Sequence, residues 1–234
     1  DTNRNGVLDG GDYIDGYDAV EAGLYVVHDI ALPEGGPYSV VESGPYSVGQ
    51  VFGIVSTRTV EECFYPSDIA DLGAVPLIVV SHGNGHDYRW YDHIGRHMAS
   101  YGYVVMSHQN NTGPGIATAS TTTLGHTDAF LDQLDTIVGG TLNGHVDSSR
   151  IIWIGHSRGG EGVAYAYDRL VDGTYAPTNY SIDSIQLVSS IAPTDFLGPS
   201  SANPHGVPYH LWTGGADSDV NGCANCNICQ TFHL

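Results

Sequence analysis

The sequence predicts one α/β domain in which a mostly parallel β-sheet carries helices on both faces. Two observations predict this class. Beyond about residue 75, short apolar runs of strand length alternate with segments of helix length, an order typical of parallel sheets assembled from β–α–β units. The chain also has 234 residues, of which 41% are hydrophobic and only 14% charged, and this composition fits a globular domain with one sizeable core.

The strands and helices follow from the apolar pattern in chain order. Residues 46–65 are predicted to form antiparallel strands that end at Pro66. Three later segments carry apolar residues at helical spacing and are predicted helices: 90–101, 124–138 and 159–170. The remaining apolar runs are predicted strands: 77–80, 103–107, 151–154, 185–191 and 207–212. Ligands bind at the carboxyl ends of the strands in such a sheet, so candidate site residues are sought there.

Acidic residues dominate the charge of the chain. Twenty-six aspartates and glutamates oppose seven arginines, which gives a net charge of −19. Such a surface repels nucleic acids and anionic membranes, so we exclude both as partners. No apolar run approaches the ~20 residues that span a bilayer. Since no basic and apolar leader is present, the chain is either cytosolic or a secreted protein whose signal peptide has been removed, and we favour secretion.

The four cysteines are Cys63 and a C-x2-C-x2-C cluster of Cys223, Cys226 and Cys229. The spacing of the cluster is compatible with a zinc or iron–sulfur site, which would need a fourth ligand. An even number of cysteines in a secreted chain instead indicates two disulfides. We favour disulfides and leave their pairing open.

The first twelve residues predict a structural calcium loop, in which Gly6 supplies the sharp turn. Six residues offer oxygen ligands at the required spacing, five through side chains and Val7 through its carbonyl: Asp1, Asn3, Asn5, Val7, Asp9 and Asp12. The loop resembles dockerin or thrombospondin-type calcium loops, and the alternative is an acidic surface loop that binds no ion. Residues 1–20 are therefore assigned to a calcium-binding loop with a short helix, and residues 21–234 to the main domain.

A nucleophile motif follows the predicted strand 151–154. Residues 155–159 read Gly-His-Ser-Arg-Gly, which is G-x-S-x-G at a strand-to-helix junction. The turn is so tight that side chains at positions 155 and 159 would collide with it, and the helix that follows directs its first N–H groups at the Ser157 hydroxyl. We therefore predict Ser157 as the nucleophile of an acyl-transfer reaction. The alternative is a glycine-rich turn with an idle serine.

Acyl transfer also needs two backbone donors for the tetrahedral oxyanion. The first is predicted to be the amide of Arg158, the residue after the nucleophile. The second is predicted in the glycine-rich loop that follows strand 77–80, and we assign it to the amide of Asn84. His82 and His156 are expected to pack around the site rather than to act as bases, because both precede the acid in the chain.

The acid and the base are expected after strand 207–212, in the chain order Ser, acid, His. Asp217 and Asp219 both have suitable spacing, and we favour Asp217 as the carboxylate that orients the histidine. His233 is the only histidine that follows them, and no apolar strand separates it from the acids. We therefore expect the catalytic histidine beyond residue 234, with the last strand and helix of the domain missing from this chain.

These motifs carry a family resemblance. The stretches 79–85, 99–105 and 146–157 resemble the branch of α/β-hydrolases that contains platelet-activating-factor acetylhydrolases, dienelactone hydrolases and cutinase-like polyester hydrolases. The resemblance implies the α/β-hydrolase fold and esterase activity without a catalytic cofactor, with Ser157 attacking the ester and Asn84 and Arg158 holding the oxyanion. Arg158 stands where polyester hydrolases carry Met or Gln, which is a departure from that subgroup.

The predicted function is a serine hydrolase that cleaves small-molecule or polymeric carboxylic esters. A peptidase or amidase of the same fold is one alternative, because a fold does not fix the substrate. A calcium-dependent binding module on a non-catalytic hydrolase scaffold is the other.

Overall fold

Residues 35–47, 60–110, 115–198 and 201–213 are described by a computed structural model. The strands in these residues are β1 Val40–Ser47, β2 Val60–Pro66, β3 Val75–Ser81, β4 Val104–His108, β5 Val146–His156, β6 Ile185–Ile191 and β7 Tyr209–Trp212. Within the described part of the chain they form one seven-stranded sheet in the order β1-β2-β4-β3-β5-β6-β7. β2 pairs antiparallel with β1 and β4, and all other neighbours are parallel. The prediction of a mostly parallel sheet is confirmed.

The central strand β3 shows why its sequence is apolar without interruption. Leu77 and Val79 belong to the core cluster on one face of the sheet, and Ile78 and Val80 belong to the cluster on the other face. All four side chains are buried. Because neighbouring residues of a strand point to opposite faces, a strand covered on both sides needs apolar residues at every position.

Helices cover the two faces unequally. The described helices are α1 Asp92–Ser100, α2 Ile116–Asp132 and α3 Arg158–Val171. Ala99 of α1 packs with Phe64 and Val105 on one face, while Leu124 of α2 and Val163 of α3 pack in the larger cluster on the other face. Helices on both faces of a mostly parallel sheet, in this strand order, make up the α/β-hydrolase fold that the sequence predicts.

Helix α2 ends earlier than its apolar pattern indicates. The spacing predicts a helix that continues to Val138, but α2 ends at Asp132 and residues 137–140 form a separate 3-10 turn. Val138 and Gly139 have φ angles of 51° and 63°, in the left-handed region that an α-helix does not use. Leu134 and Val138 still pack against the core, so burial alone accounts for their apolar character.

The structure bears on the predictions about membrane spans and cysteines only within the described residues. None of the helices in the described ranges is long and apolar enough to cross a membrane. Cys63 lies in β2 with its side chain fully buried, whereas Cys223, Cys226 and Cys229 lie outside the described residues, so the disulfides stay a prediction. The last strand and helix that we expect to be missing are likewise untested.

Candidate functional site

Ser157 lies at the junction where β5 ends at His156 and α3 begins at Arg158. Its backbone has φ 53° and ψ −123°, a conformation that costs a non-glycine residue on the order of 1–3 kcal/mol unless the surroundings impose it. Three hydrogen bonds do so. The Ser157 amide donates to the Ile191 carbonyl at 2.9 Å, and the Ser157 carbonyl accepts from the amides of Glu161 and Thr194 at 3.1 and 3.3 Å.

The two glycines of the motif, Gly155 and Gly159, are required because neighbouring backbone atoms leave no space for a Cβ atom at either position. A Cβ atom added to Gly155 would lie 2.2 Å from the Gly159 carbonyl oxygen, and one added to Gly159 would lie 2.4 Å from the Ser81 carbonyl oxygen. Both distances fall well inside van der Waals contact, and both neighbours are backbone atoms that cannot rotate away. The turn therefore excludes any side chain at these positions, as the sequence predicts, and it seats the start of α3 on the carboxyl end of β3.

The loop after β3 lies directly beside Ser157. A Cβ atom added to Gly83 would lie 3.2 Å from Ser157 Cβ and 2.8 Å from His156 Nδ1. Asn84 is the next residue of this loop and is exposed. The segment of Asn84 and the Ser157–Arg158 turn are thus neighbours in the structure.

His82 fixes the orientation of that loop. The Asn110 amide donates to His82 Nε2 at 2.7 Å, so the ring proton resides on Nδ1, which donates to the Gly83 carbonyl at 2.7 Å. Because the peptide unit is planar and trans, fixing the Gly83 carbonyl also fixes the direction of the Asn84 N–H. His82 is fully buried, and its contacts give it the packing role that the sequence predicts.

A buried carboxylate holds the loop that follows β6. Glu161, in the first turn of α3, accepts hydrogen bonds from Thr194 Oγ1 at 2.6 Å and from the amides of Phe196 and Leu197 at 2.9 and 2.7 Å. Burial raises the pKa of Glu161, and these hydrogen bonds oppose the rise. The glutamate thereby holds the loop after β6 against the helix that begins directly after Ser157.

Asp195, in the same loop, is a candidate acid in addition to the predicted Asp217 and Asp219. Its Oδ1 atom is buried and has no hydrogen-bond partner among the described residues, and burial raises its pKa. The preceding residue, Thr194, donates its amide to the Ser157 carbonyl. β6 neighbours β5 in the sheet, so an aspartate four residues after predicted strand 185–191 is a signal that the sequence itself contains.

Two exposed aromatic side chains contact residues near Ser157 in the sequence or in space. Trp90 is 61% exposed, and its ring centroid lies 4.5 Å from that of His86, which stacks on His156 at 5.1 Å. Phe196 is 52% exposed and lies under the Arg158 guanidinium, 5.4 Å from the ring centroid. Aromatic surface is thus exposed beside His86, which stacks on the residue before Ser157, and beside Arg158, the residue after it.

The carboxyl groups of buried Glu62 and half-buried Asp92 interact with each other. Glu62 on β2 and Asp92 at the start of α1 each keep a buried oxygen, Oε2 and Oδ1, without a donor among the described residues. Burial, the nearby charges of Asp92 and Glu42, and hydrogen bonding to Asp92 raise the pKa of Glu62 to about 7. Glu62 is therefore protonated in the folded protein below that pH and shares its proton with Asp92.

Because the pKa of Glu62 is raised beside Asp92, the free energy of unfolding is expected to depend on pH. Since the unfolded chain releases the Glu62 proton near pH 4.5 and the folded chain near pH 7, the contribution is complete below pH 4.5 and is lost as the pH rises to 7. Glu62→Gln is expected to lessen the fall of the melting temperature over this interval and to raise stability at pH 8. Asp68→Asn, on an exposed aspartate, is the control of equal charge change. Thermal melts that fall equally steeply in E62Q and wild type would contradict the account.

Several predicted site residues lie outside the described residues, and the structure does not test their roles. They are the two late aspartates, the last histidine and the six calcium ligands: Asp217, Asp219, His233, Asp1, Asn3, Asn5, Val7, Asp9 and Asp12. Among the predicted residues that the structure describes, it brings Ser157 and Arg158 together with the Asn84 loop.

Comparison with known families shows a match to the chlorophyllase family over residues 60–177. The match begins at β2 and ends beyond α3, so it spans about half of the chain and includes both segments beside Ser157. It agrees with the α/β-hydrolase fold and with hydrolysis of the esterase type. The narrower branch in the sequence resemblance, with its acetylhydrolases and polyester hydrolases, is not confirmed by this match.

Proposed function

We propose that this chain, which belongs to the chlorophyllase family, is a serine hydrolase that cleaves carboxylic esters through an acyl-enzyme at Ser157. The observation that carries the proposal is the backbone of Ser157, held with φ 53° between β5 and α3 and adjoined by the Gly83 segment. Strained backbone of this kind is found at functional sites, where the surrounding structure maintains it.

In the proposed mechanism the Ser157 oxygen attacks the ester carbonyl as a general base takes its proton. The carbonyl oxygen becomes an oxyanion that the amides of Asn84 and Arg158 stabilise, helped by the dipole of α3. Collapse of the tetrahedral intermediate breaks the C–O bond, and the alcohol leaves with the proton from the base. Water then attacks the acyl-enzyme through a second tetrahedral intermediate, which releases the carboxylic acid and restores the Ser157 hydroxyl.

We assign the triad acid to Asp217, with Asp219 as the alternative beyond β7. Asp195 is a second candidate, favoured by its buried unpartnered oxygen and by the bond from Thr194 to Ser157. The base follows the acid in the chain order of this fold, so we propose that it lies in the chain beyond β7. Replacement of the true triad acid by asparagine is expected to lower kcat by about 10⁴-fold. Equal activity of D195N and wild type would exclude Asp195 as the triad acid.

The substrate that we propose is an ester with a large apolar part. The exposed ring of Trp90 contacts His86, and the exposed ring of Phe196 contacts Arg158, the residue after the serine. Aromatic side chains bind apolar groups through their area. The name of the matching family points to chlorophyll as one such ester. A small ester should therefore react with a higher KM than one that carries a bulky apolar alcohol.

An amide substrate would indicate the peptidase or amidase alternative. The test compares a p-nitrophenyl ester with a p-nitroanilide of the same acyl group. We expect turnover of the ester with a burst of p-nitrophenol equal to the enzyme concentration, which is the kinetic mark of an acyl-enzyme. Faster turnover of the anilide would favour the alternative, and folded protein inert to both would favour a binding module.

The N-terminal calcium loop and secretion also remain proposals. Calcium would support stability rather than chemistry, since the proposed mechanism uses none. Calorimetric titration of chelator-treated protein is expected to show Ca²⁺ binding that Asp1→Ala and Asp9→Ala weaken. A titration that shows no heat of binding would contradict the proposed calcium site and leave the esterase proposal unaffected.

A further inference from the structure

We infer that Tyr91 is a positioning residue of the esterase site and that its hydroxyl gives His86 and His156 opposite hydrogen-bonding roles. The inference rests on the proposed function at Ser157. It adds a residue that touches neither the nucleophile nor the proposed donors but holds the segments on which they lie.

The Tyr91 hydroxyl contacts three groups at the site. It accepts a hydrogen bond from the Gly83 amide at 3.1 Å and lies 2.8 Å from His86 Nδ1 and 2.7 Å from His156 Nδ1. Gly83 precedes the proposed donor Asn84, and His156 precedes Ser157. The side chain of Tyr91 is buried, with 7% of it exposed. One hydroxyl thus joins the Gly83 loop to the turn at Ser157, and Tyr91 itself is 65 residues from His156 in the sequence.

The proton count at this hydroxyl constrains both histidines. A phenol has one proton to donate and two lone pairs with which to accept. The Gly83 amide uses one lone pair, which leaves one proton and one lone pair for the two imidazoles. One Nδ1 atom must therefore accept and the other must donate.

The protonation states around Tyr91 preserve this division. Burial raises the pKa of Tyr91 to about 12, so the hydroxyl keeps its proton at neutral pH. The two imidazole rings are stacked with centroids 5.1 Å apart, and two positive charges at that distance would repel each other. A second imidazolium would also bring an Nδ1–H that the hydroxyl has no lone pair to accept.

The arrangement also separates the roles of two neighbouring amides. The Gly83 N–H is directed at Tyr91, and the Gly83 carbonyl is held by His82 Nδ1. Both faces of this short segment are therefore fixed before substrate arrives, and the amide proposed for the oxyanion is that of Asn84. Loss of the Tyr91 hydroxyl removes one of these two anchors without emptying the space that the ring fills.

The test compares Tyr91→Phe with Tyr88→Phe. Tyr88 is a buried tyrosine of the same 3-10 turn, and its hydroxyl makes no hydrogen bond to the described residues. We expect Y91F to lower kcat for a p-nitrophenyl ester by about 10- to 100-fold, as misplacement of a donor does, with KM within about twofold of wild type. Y88F should match wild type in both constants.

A second measurement tests the hydrogen bonds of the Tyr91 hydroxyl without relying on enzyme activity. In protein labelled with ¹⁵N-histidine, one of His86 and His156 should appear as the Nδ1–H form and the other as the Nε2–H form, with assignment by loss of signals in His86→Asn. Y91F should abolish this fixed pairing while the melting curve remains cooperative. Wild-type kcat in Y91F, or identical tautomers at both histidines, would overturn the inference. Inactive wild-type protein with the opposed tautomers would instead contradict the esterase proposal alone.

Discussion

Replacing Ser157 with alanine is expected to lower kcat for a p-nitrophenyl ester by at least about 10⁴-fold, the size of loss seen when a serine nucleophile is removed. No other group can then form the acyl-enzyme, while the amides of Asn84 and Arg158 remain to bind the carbonyl. KM should change little, and the melting temperature should stay close to that of wild type, since only one oxygen is lost.

The matched control is Ser148→Ala, on an exposed serine of the same strand. It should leave kcat, KM and the melting temperature at wild-type values. A folded S157A protein that retains more than a small fraction of wild-type kcat would reject Ser157 as the nucleophile, because neither the oxyanion donors nor the helix dipole supplies the covalent step.

Gly155→Ala is expected to have the second largest effect, on both stability and activity. Its Cβ would lie 2.2 Å from the Gly159 carbonyl oxygen and 2.8 Å from Gly160 Cα, so the backbone of the turn must shift. Overpacking costs about 3 kcal/mol when the neighbour is immovable, which in a chain of this size lowers the melting temperature by roughly 6–12 °C. The displaced hydroxyl should lose about 100-fold or more in kcat.

Gly73→Ala is the control for Gly155→Ala, because an added Cβ at position 73 meets no atom within 4 Å. That variant should keep wild-type activity and a wild-type melting temperature. If G155A were as stable and active as G73A, the tight turn would not be what positions Ser157.

The sheet could be predicted from the sequence because its physical cause is local. Strand β3 is buried on both faces, so every residue from Leu77 to Val80 had to be apolar. The turn at Ser157 was predictable in part for the same reason, because a Cβ atom on Gly155 would meet the Gly159 carbonyl of the same motif. The requirement for Gly159 comes instead from Ser81 of the distant strand β3, although the motif itself can be recognised in a short segment.

Features that depend on distant contacts were not predictable. Val138 continues the apolar spacing of α2 because it packs on the core, although its backbone is left-handed. Tyr91 bonds to His156 and Glu161 bonds to Thr194 only because the sheet brings their segments together. The position of Asp195 after a predicted strand is visible in the sequence, but its buried oxygen without a hydrogen-bond partner among the described residues is not.

The most direct test of Ser157 is covalent labelling followed by peptide mapping. The chain contains no lysine, so trypsin cuts after Arg150 and Arg158 and releases the peptide 151–158, whose single hydroxyl-bearing side chain is Ser157. A fluorophosphonate should abolish ester hydrolysis in step with a mass increase of one label on that peptide. Inactivated enzyme in which peptide 151–158 is unlabelled would contradict the assignment of the nucleophile.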